Sequence, residues 1–244
     1  MDFFTVFWRE MLVLKRTLFK FFASRLVSPL LYLVAFGWGL GRSVQVDGGS
    51  YLEFVVPGII ALSAMTTSFN YVGTSLNMSR LYHKTLEEYL IAPISASSFV
   101  MGKVLAGCFR GVIASLIILG LAFLFGAHIM VNGWFFLVIF LTCFLFGALG
   151  VVIAMTINSH EDMANFSTFV ILPMSFLCGT FFSSDRLPKV VGYVIDLLPL
   201  THTSHFLRAV ATGGDFPPVS LATLLGYTVV FFAAGVITVR KAGQ

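Results

Sequence analysis

Apolar and polar positions along this chain sort on a long scale, with runs of apolar residues divided by short polar segments. The runs are centred on Leu26 to Leu40, Phe54 to Met78, Phe99 to Ala127, Trp134 to Ile157, Met163 to Phe182 and Leu221 to Val239. A helix crosses about 30 Å of hydrocarbon with about 20 such residues. The pattern therefore predicts an all-α membrane protein with six transmembrane helices, both termini on one side.

Three shorter segments carry a helical period without the length to span. At about 100° per residue, Phe4, Phe7, Trp8, Met11, Leu14, Leu18 and Phe22 share one face. Thr5, Arg9, Glu10, Arg16, Thr17 and Lys20 fall opposite, with Lys15 as the exception. This predicts an amphipathic helix over residues 1–25, lying on the membrane surface. An acidic second residue, Arg9 and Glu10 inside the apolar run and the lack of a small-residue cleavage site speak against a signal peptide.

After the fifth span, residues 183–218 contain Leu187, Val190, Val191, Val194, Ile195 and Leu198 at helical spacing. Pro188 suits a first helical turn, with Ser184 or Asp185 as cap, Pro199 follows the end, and a second short helix is expected from about Thr201 to Ala211. Together they predict a re-entrant hairpin dipping into the outer leaflet.

The third segment, "SRLYHKTLEEYLIAPIS", puts Arg80, His83, Lys84, Glu87 and Glu88 between two apolar runs. Thr85 and Glu88 have capping-box spacing, Leu86, Tyr89 and Leu90 share a face, and Pro93 ends the helix. Either the segment is a solvated loop resting on headgroups, or it is a docking helix for a partner.

Charge assigns the sides. Arg9, Lys15, Arg16, Lys20, Arg25, Arg80, Lys84, Lys103, Arg240 and Lys241 lie on the side of the termini, against Arg42, Arg186, Lys189 and Arg208 on the other. The positive-inside rule places both termini and the docking segment in the cytoplasm. With charged residues at 11% and hydrophobic residues at 58%, the net charge of +4 reflects membrane topology and not nucleic-acid binding. Cys108, Cys143 and Cys178 sit in apolar runs and read as small buried residues. A G-x-x-x-x-G-K-[ST] phosphate loop is missing from the sequence, so ATP binding by that route needs another polypeptide.

The segments "SPLLYLVAFGWGLG", "YLEFVVPGIIAL", "TLEEYLIAPISASSFVMGK", "ILPMSFLCGTFFSSDRLP" and "LLPLTHTSHFLRAVATGG" stand in an order and spacing that resembles the membrane subunits of type-2 ABC exporters. The compact permeases of nodulation-factor and multidrug export are the subgroup most similar to it. The resemblance covers nearly the whole chain and implies a single membrane domain over 1–244. Within it, 1–25 would be the interfacial helix, 83–95 a cytoplasmic coupling segment with its helix at about Thr85 to Ala92, and 183–218 the outer hairpin. It implies the permease half of an ATP-driven exporter in the inner membrane, working as a homodimer with two copies of a separate ATPase subunit. ATP and Mg would be bound by that subunit, with no cofactor on this chain. The substrate would be amphipathic, lipid-linked or drug-like. Where the family often has a Gly-Thr pair before the coupling helix, this chain reads "RLYHKT", keeping Thr85 and not the glycine.

On this reading Thr85, Leu86, Glu87, Glu88, Tyr89 and Leu90, with Glu161 and Asp162 in the next cytoplasmic turn, form the ATPase-facing set. Tyr32, Phe36 and Trp38 on the first span, Phe166, Phe169 and Phe176 on the fifth, and Val191 and Val194 in the hairpin are candidates for the substrate path. Ser159 and Asp162 have capping-box spacing. Arg110, some way into the third span, either snorkels or pairs with Glu161 or Asp162. His202 and His205, with Asp196 or Asp215, have spacing that a metal accepts, but polar residues of an interfacial hairpin account for them better. The glycine pairs Gly37/Gly41 and Gly107/Gly111 permit close helix approach, within a subunit or between subunits. A membrane anchor or sensor would need no capped docking helix. An intramembrane enzyme would show paired ionisable groups at matching depth, and only Arg110 comes near that.

Overall fold

The computed structural model describes residues 2–35, 50–92, 94–181, 189–214 and 216–242, leaving aside the side chains of 25, 90 and 189–191. Every regular element among the described residues is a helix, in the order α1 (Asp2–Tyr32), α2 (Tyr51–Leu81), α3 (Thr85–Ile91), α4 (Ala96–Leu124), α5 (Gly133–Thr156), α6 (His160–Phe166), α7 (Leu172–Leu177), α8 (Lys189–Asp196), α9 (Pro199–Ala211) and α10 (Pro218–Ala242). Among the described residues, five helices are long and apolar enough to cross a membrane: α1 with its extension to Ala35, α2, α4, α5 and α10.

α2 is the central post, packed against α4, α5 and α9. α1 and α10 stand at the periphery, mostly exposed. Small residues permit this crowding: a Cβ on Gly107 would overlap Val72, one on Gly111 would overlap Ser68 and Cys143, and one on Gly150 would lie 3.0 Å from the Phe69 carbonyl. The Gly107/Gly111 pair thus serves contacts inside this chain, where backbones must approach without side chains between them. Gly37 and Gly41 lie outside the described residues. The three cysteines are buried and free.

The structure differs from the sequence pattern in three places. The expected boundary between surface helix and first span is not marked by a break, because residues 2–28 contain neither glycine nor proline to interrupt the ladder. The segment expected to span from Met163 to Phe182 is helical from His160 to Leu177 as α6, a π-turn over Ser167–Ile171 and α7, with Phe182 outside the described residues. Pro173 supplies no amide for Phe169, and the wider turn absorbs the missing bond. The pair after it is α8 and α9, with Pro199 opening α9 at its first position and not merely ending α8. Ser184, Asp185 and Pro188 lie outside the described residues.

A Cβ added to Gly58 would lie 2.8 Å from the Thr180 Cα and overlap its carbonyl oxygen, backbone atoms that cannot rotate away, whereas Gly226 in α10 has open space. Gly58→Ala should cost about 1–3 kcal/mol through overpacking, and Gly226→Ala should be neutral or stabilise by up to about 1 kcal/mol. Thermal unfolding of the two variants in one detergent checks the contrast.

Candidate functional site

α3 enters from a tight turn at Lys84, whose backbone is left-handed with φ 53° and ψ 13°. The helix starts without any side-chain cap, so the expected Thr85–Glu88 capping box is not formed. Lys84 is the helix's N-cap residue, and its side chain does not bond the first amides, which leaves Thr85 one position inside the helix. The left-handed residue sits where the resemblance expects glycine, the residue that adopts this conformation without steric cost.

The inner face of α3 is anchored to its own chain. Leu86 is buried in a cluster with Val6, Val72, Leu76 and Phe99. Tyr89 packs its ring 5.0 Å from that of Phe99, lies 5.2 Å beneath the Arg9 guanidinium and accepts a hydrogen bond at its hydroxyl from Arg9. Glu87, Glu88 and Ile91 face outward, and Ile91 is 86% exposed. Of the expected partner-facing set, Leu86 therefore points inward, Thr85 and Tyr89 are half-buried, and Glu87 and Glu88 are on the surface. The Leu90 side chain is outside the description.

At the residue after Arg9 the chain buries a charge. Val6, Glu10 and Leu14 form the buried stripe of α1, so Glu10 faces α4 and α2, contrary to its place on the expected water-facing side. Its carboxylate meets Lys103 Nζ at 2.5 Å and accepts from the Tyr71 hydroxyl. Arg110 donates to the Glu10 carbonyl at 3.3 Å and stacks 3.6 Å over the Tyr71 ring. The expected pairing of Arg110 with Glu161 or Asp162 is not found: those two acids are exposed at the start of α6, where Ser159 caps the helix by accepting from the Asp162 amide at 2.9 Å. The acid near Arg110 is Glu10, whose carboxylate pairs with Lys103 and whose main-chain carbonyl accepts from Arg110, a proximity hidden by a separation of 100 residues.

The same end of the molecule is tied by Arg80, which donates to the carbonyls of Ala154, Met155 and Ile157 at 2.8 to 3.2 Å and to Asn158 at 2.9 Å. It closes the C-terminus of α5, where a cation also suits the helix dipole. The opposite end is pinned by Arg208, which donates to the Gly179 carbonyl at 2.6 Å and the Phe54 carbonyl at 3.3 Å. There too, Ser50 and Glu53 form the capping box of α2, readable as S-x-x-E in the sequence.

Between these ends two cavities lie along α2. One, of about 190 Å³, is bounded by Tyr32, Ile59, Leu62, Thr67, Phe176 and Phe181 among others. The other, of about 410 Å³, is lined by Phe21, Thr67, Asn70, Tyr71, Thr74, Ser75 and Arg110. Thr67 belongs to both. Of the expected path residues, Tyr32 and Phe176 meet at the first cavity through Phe181, whereas Phe166 stacks on Phe69 in the core. Phe169 and Val194 are exposed. Phe36, Trp38 and the Val191 side chain fall outside the described residues. His202 bonds the Asp196 carbonyl at 2.9 Å through Nε2, closing the α8–α9 turn.

The chain matches the family described as ABC-2 type transporter over residues 1–212. It is similar to the inner membrane transport permease YadH of Escherichia coli (strain K12), 29% identical over 222 residues that cover 88% of this chain and 85% of that one. It is also similar to nodulation protein J of Rhizobium meliloti (strain 1021), 31% identical over 249 residues covering 97% and 92%, and to its counterpart in Azorhizobium caulinodans, 30% identical covering 96% and 95%.

Removing one partner of a buried ion pair leaves the other uncompensated, at about 3–5 kcal/mol. Glu10→Ala should therefore destabilise the chain by that order, and Glu10→Leu with Lys103→Met should recover much of the loss. A double-mutant cycle on thermal unfolding reads the coupling. Lys84→Gly, which removes a left-handed side chain, should be neutral or stabilising by about 1 kcal/mol in the same assay.

Proposed function

We propose that this chain, which belongs to the ABC-2 type transporter family as a membrane subunit, is the permease of an ATP-driven exporter in a bacterial inner membrane. It works as a homodimer and receives two copies of a separate ATPase subunit, which bind ATP and Mg. Both termini and α3 face the cytoplasm. The chain from α6 to α7 serves as a sixth crossing, and α8 with α9 forms a hairpin that enters the membrane from outside without crossing. The substrate is amphipathic, and the whole chain acts as one membrane domain. No chemistry is carried out on this chain.

The observation that carries this reading is the two-sidedness of α3. Its outer side offers Glu87, Glu88 and Ile91, an acidic and apolar surface suited to a soluble partner. Its inner side is bolted to α1 through Arg9–Tyr89 and to the core through Leu86. A solvated loop gains nothing from such anchoring, whereas a docking helix needs it to carry force.

Force on α3 passes to Arg9, and the next residue, Glu10, holds α4 through Lys103 and α2 through Tyr71. Closure of the ATPase subunits would thus displace α1 against α2 and α4, the helices that border both cavities. Exposed Glu161 and Asp162 at the start of α6, on the same end as Arg80, offer a second contact.

Charge reversal at Glu87 and Glu88 together should release the ATPase subunit while the permease inserts normally, and co-purification in mild detergent reads this directly. Tyr89→Phe, which removes only the acceptor for Arg9, should keep the subunit bound but lower substrate-stimulated ATP hydrolysis several-fold, consistent with the loss of one charge-assisted hydrogen bond of about 1.5–3 kcal/mol. Retained binding in the first variant and unchanged stimulation in the second would return α3 to the status of a surface loop.

A further inference from the structure

Among the described residues, the buried charged side chains are Glu10, Lys103 and Arg110. One carboxylate therefore stands against two cations, and it is Lys103 that holds it, at 2.5 Å. Arg110 has the Glu10 carbonyl at 3.3 Å and the Tyr71 side chain beside it, with the Glu10 carboxylate near enough to attract it but held by Lys103. Its Nε is buried with no hydrogen-bond partner. A guanidinium so placed in a membrane protein is costly unless an anion meets it.

Arg110 lines the cavity of about 410 Å³ with Thr67, Asn70, Thr74 and Ser75. These residues recur along one side of α2 at helical spacing and present hydroxyl and amide donors beside the cation. Thr67 Oγ1, shared with the neighbouring cavity, is buried and also lacks a partner. The neighbouring cavity is bordered by Ile59, Leu62, Tyr32 and Phe176. A cationic, donor-rich compartment thus adjoins, at Thr67, one with aromatic and aliphatic walls.

From this juxtaposition we infer that Arg110 and the polar side of α2 form a binding site for the anionic headgroup of an amphiphile, a phosphate, sulfate or carboxylate, whose apolar part extends past Thr67 toward Tyr32 and Phe176. The inference deepens the export reading and rests on it for the role of the ligand as cargo. The binding itself is independent of any ATPase subunit. An oxyanion suits the site because guanidinium binds it through two parallel bonds, and the unpartnered Nε–H is one half of that fork.

The test uses the full chain in phosphatidylcholine nanodiscs without nucleotide, with bound molecules counted by native mass spectrometry. Dodecyl phosphate, uncharged dodecyl maltoside and inorganic phosphate are titrated in parallel. Dodecyl phosphate should bind one per chain at least about tenfold more tightly than either of the others, and Arg110→Gln should remove that advantage while Arg110→Lys keeps part of it. Lys241→Gln, at the exposed end of α10, should leave binding unchanged. Equal affinity for dodecyl phosphate and dodecyl maltoside, or a wild-type affinity in Arg110→Gln, would overturn the site. Inorganic phosphate binding as tightly as dodecyl phosphate would overturn the amphiphile. If Arg110→Gln does not fold, Thr67→Val and Asn70→Ala decide: weakened binding of dodecyl phosphate in these supports the site, and unchanged binding in both overturns it. Headgroup binding that survives without any ATPase subunit co-purifying would strike the export reading alone.

Discussion

A carboxylate removed from water inside an apolar helix bundle must be met by a cation or it does not stay charged. Glu10 is met by Lys103 at 2.5 Å and by the Tyr71 hydroxyl, and that requirement organises the end of the molecule where the helices converge. It fixes the rotation of α1, because Val6 and Leu14 must then face the bundle. With α1 so turned, Arg9 arrives over Tyr89 and the aromatic residues Phe3, Phe4 and Trp8 are left exposed. Gly102 permits the close approach, since a Cβ there would strike the Phe3 carbonyl and Val6. The position of α3 on its own protein thus follows from where one acid is paired.

The transmembrane helices were legible in the sequence because hydrocarbon demands long unbroken apolar runs. α2, α4, α5 and α10 fall where the hydropathy placed them. What escaped was anything decided by contact between distant residues. The amphipathic wheel of the first segment put Glu10 with Arg9, Arg16 and Lys20, and the last three are indeed exposed while Glu10 is not. A helical wheel records angles, and an acid at the edge of its polar arc can turn either way according to what stands opposite. The usable signal was a lone acid in "FWREMLVL" together with cations inside the third apolar run. Ionisable groups in membrane segments rarely lack partners.

The turn before α3 shows the converse. The sequence "RLYHKT" lacks the glycine that the resemblance expects, and the backbone at Lys84 adopts the left-handed conformation regardless. The packing of Leu86 and Tyr89 holds the helix in place and overrides the local preference of one residue. In the same way the fifth apolar run reads as unbroken, and the π-turn from Ser167 to Ile171 ahead of Pro173 is a local form that no periodicity encodes.

The central claim is that α3 and α1 move together as one lever under the force of ATP binding. Spin labels at Ile91→Cys, Lys15→Cys and Ile237→Cys, all exposed positions on α3, α1 and α10, allow three distances to be followed by pulsed electron resonance in the assembled complex. On adding ATP under conditions that block hydrolysis, the distance between positions 91 and 15 should stay constant while both change relative to 237. A change between 91 and 15, with 15 fixed against 237, would contradict the lever and leave α3 moving alone.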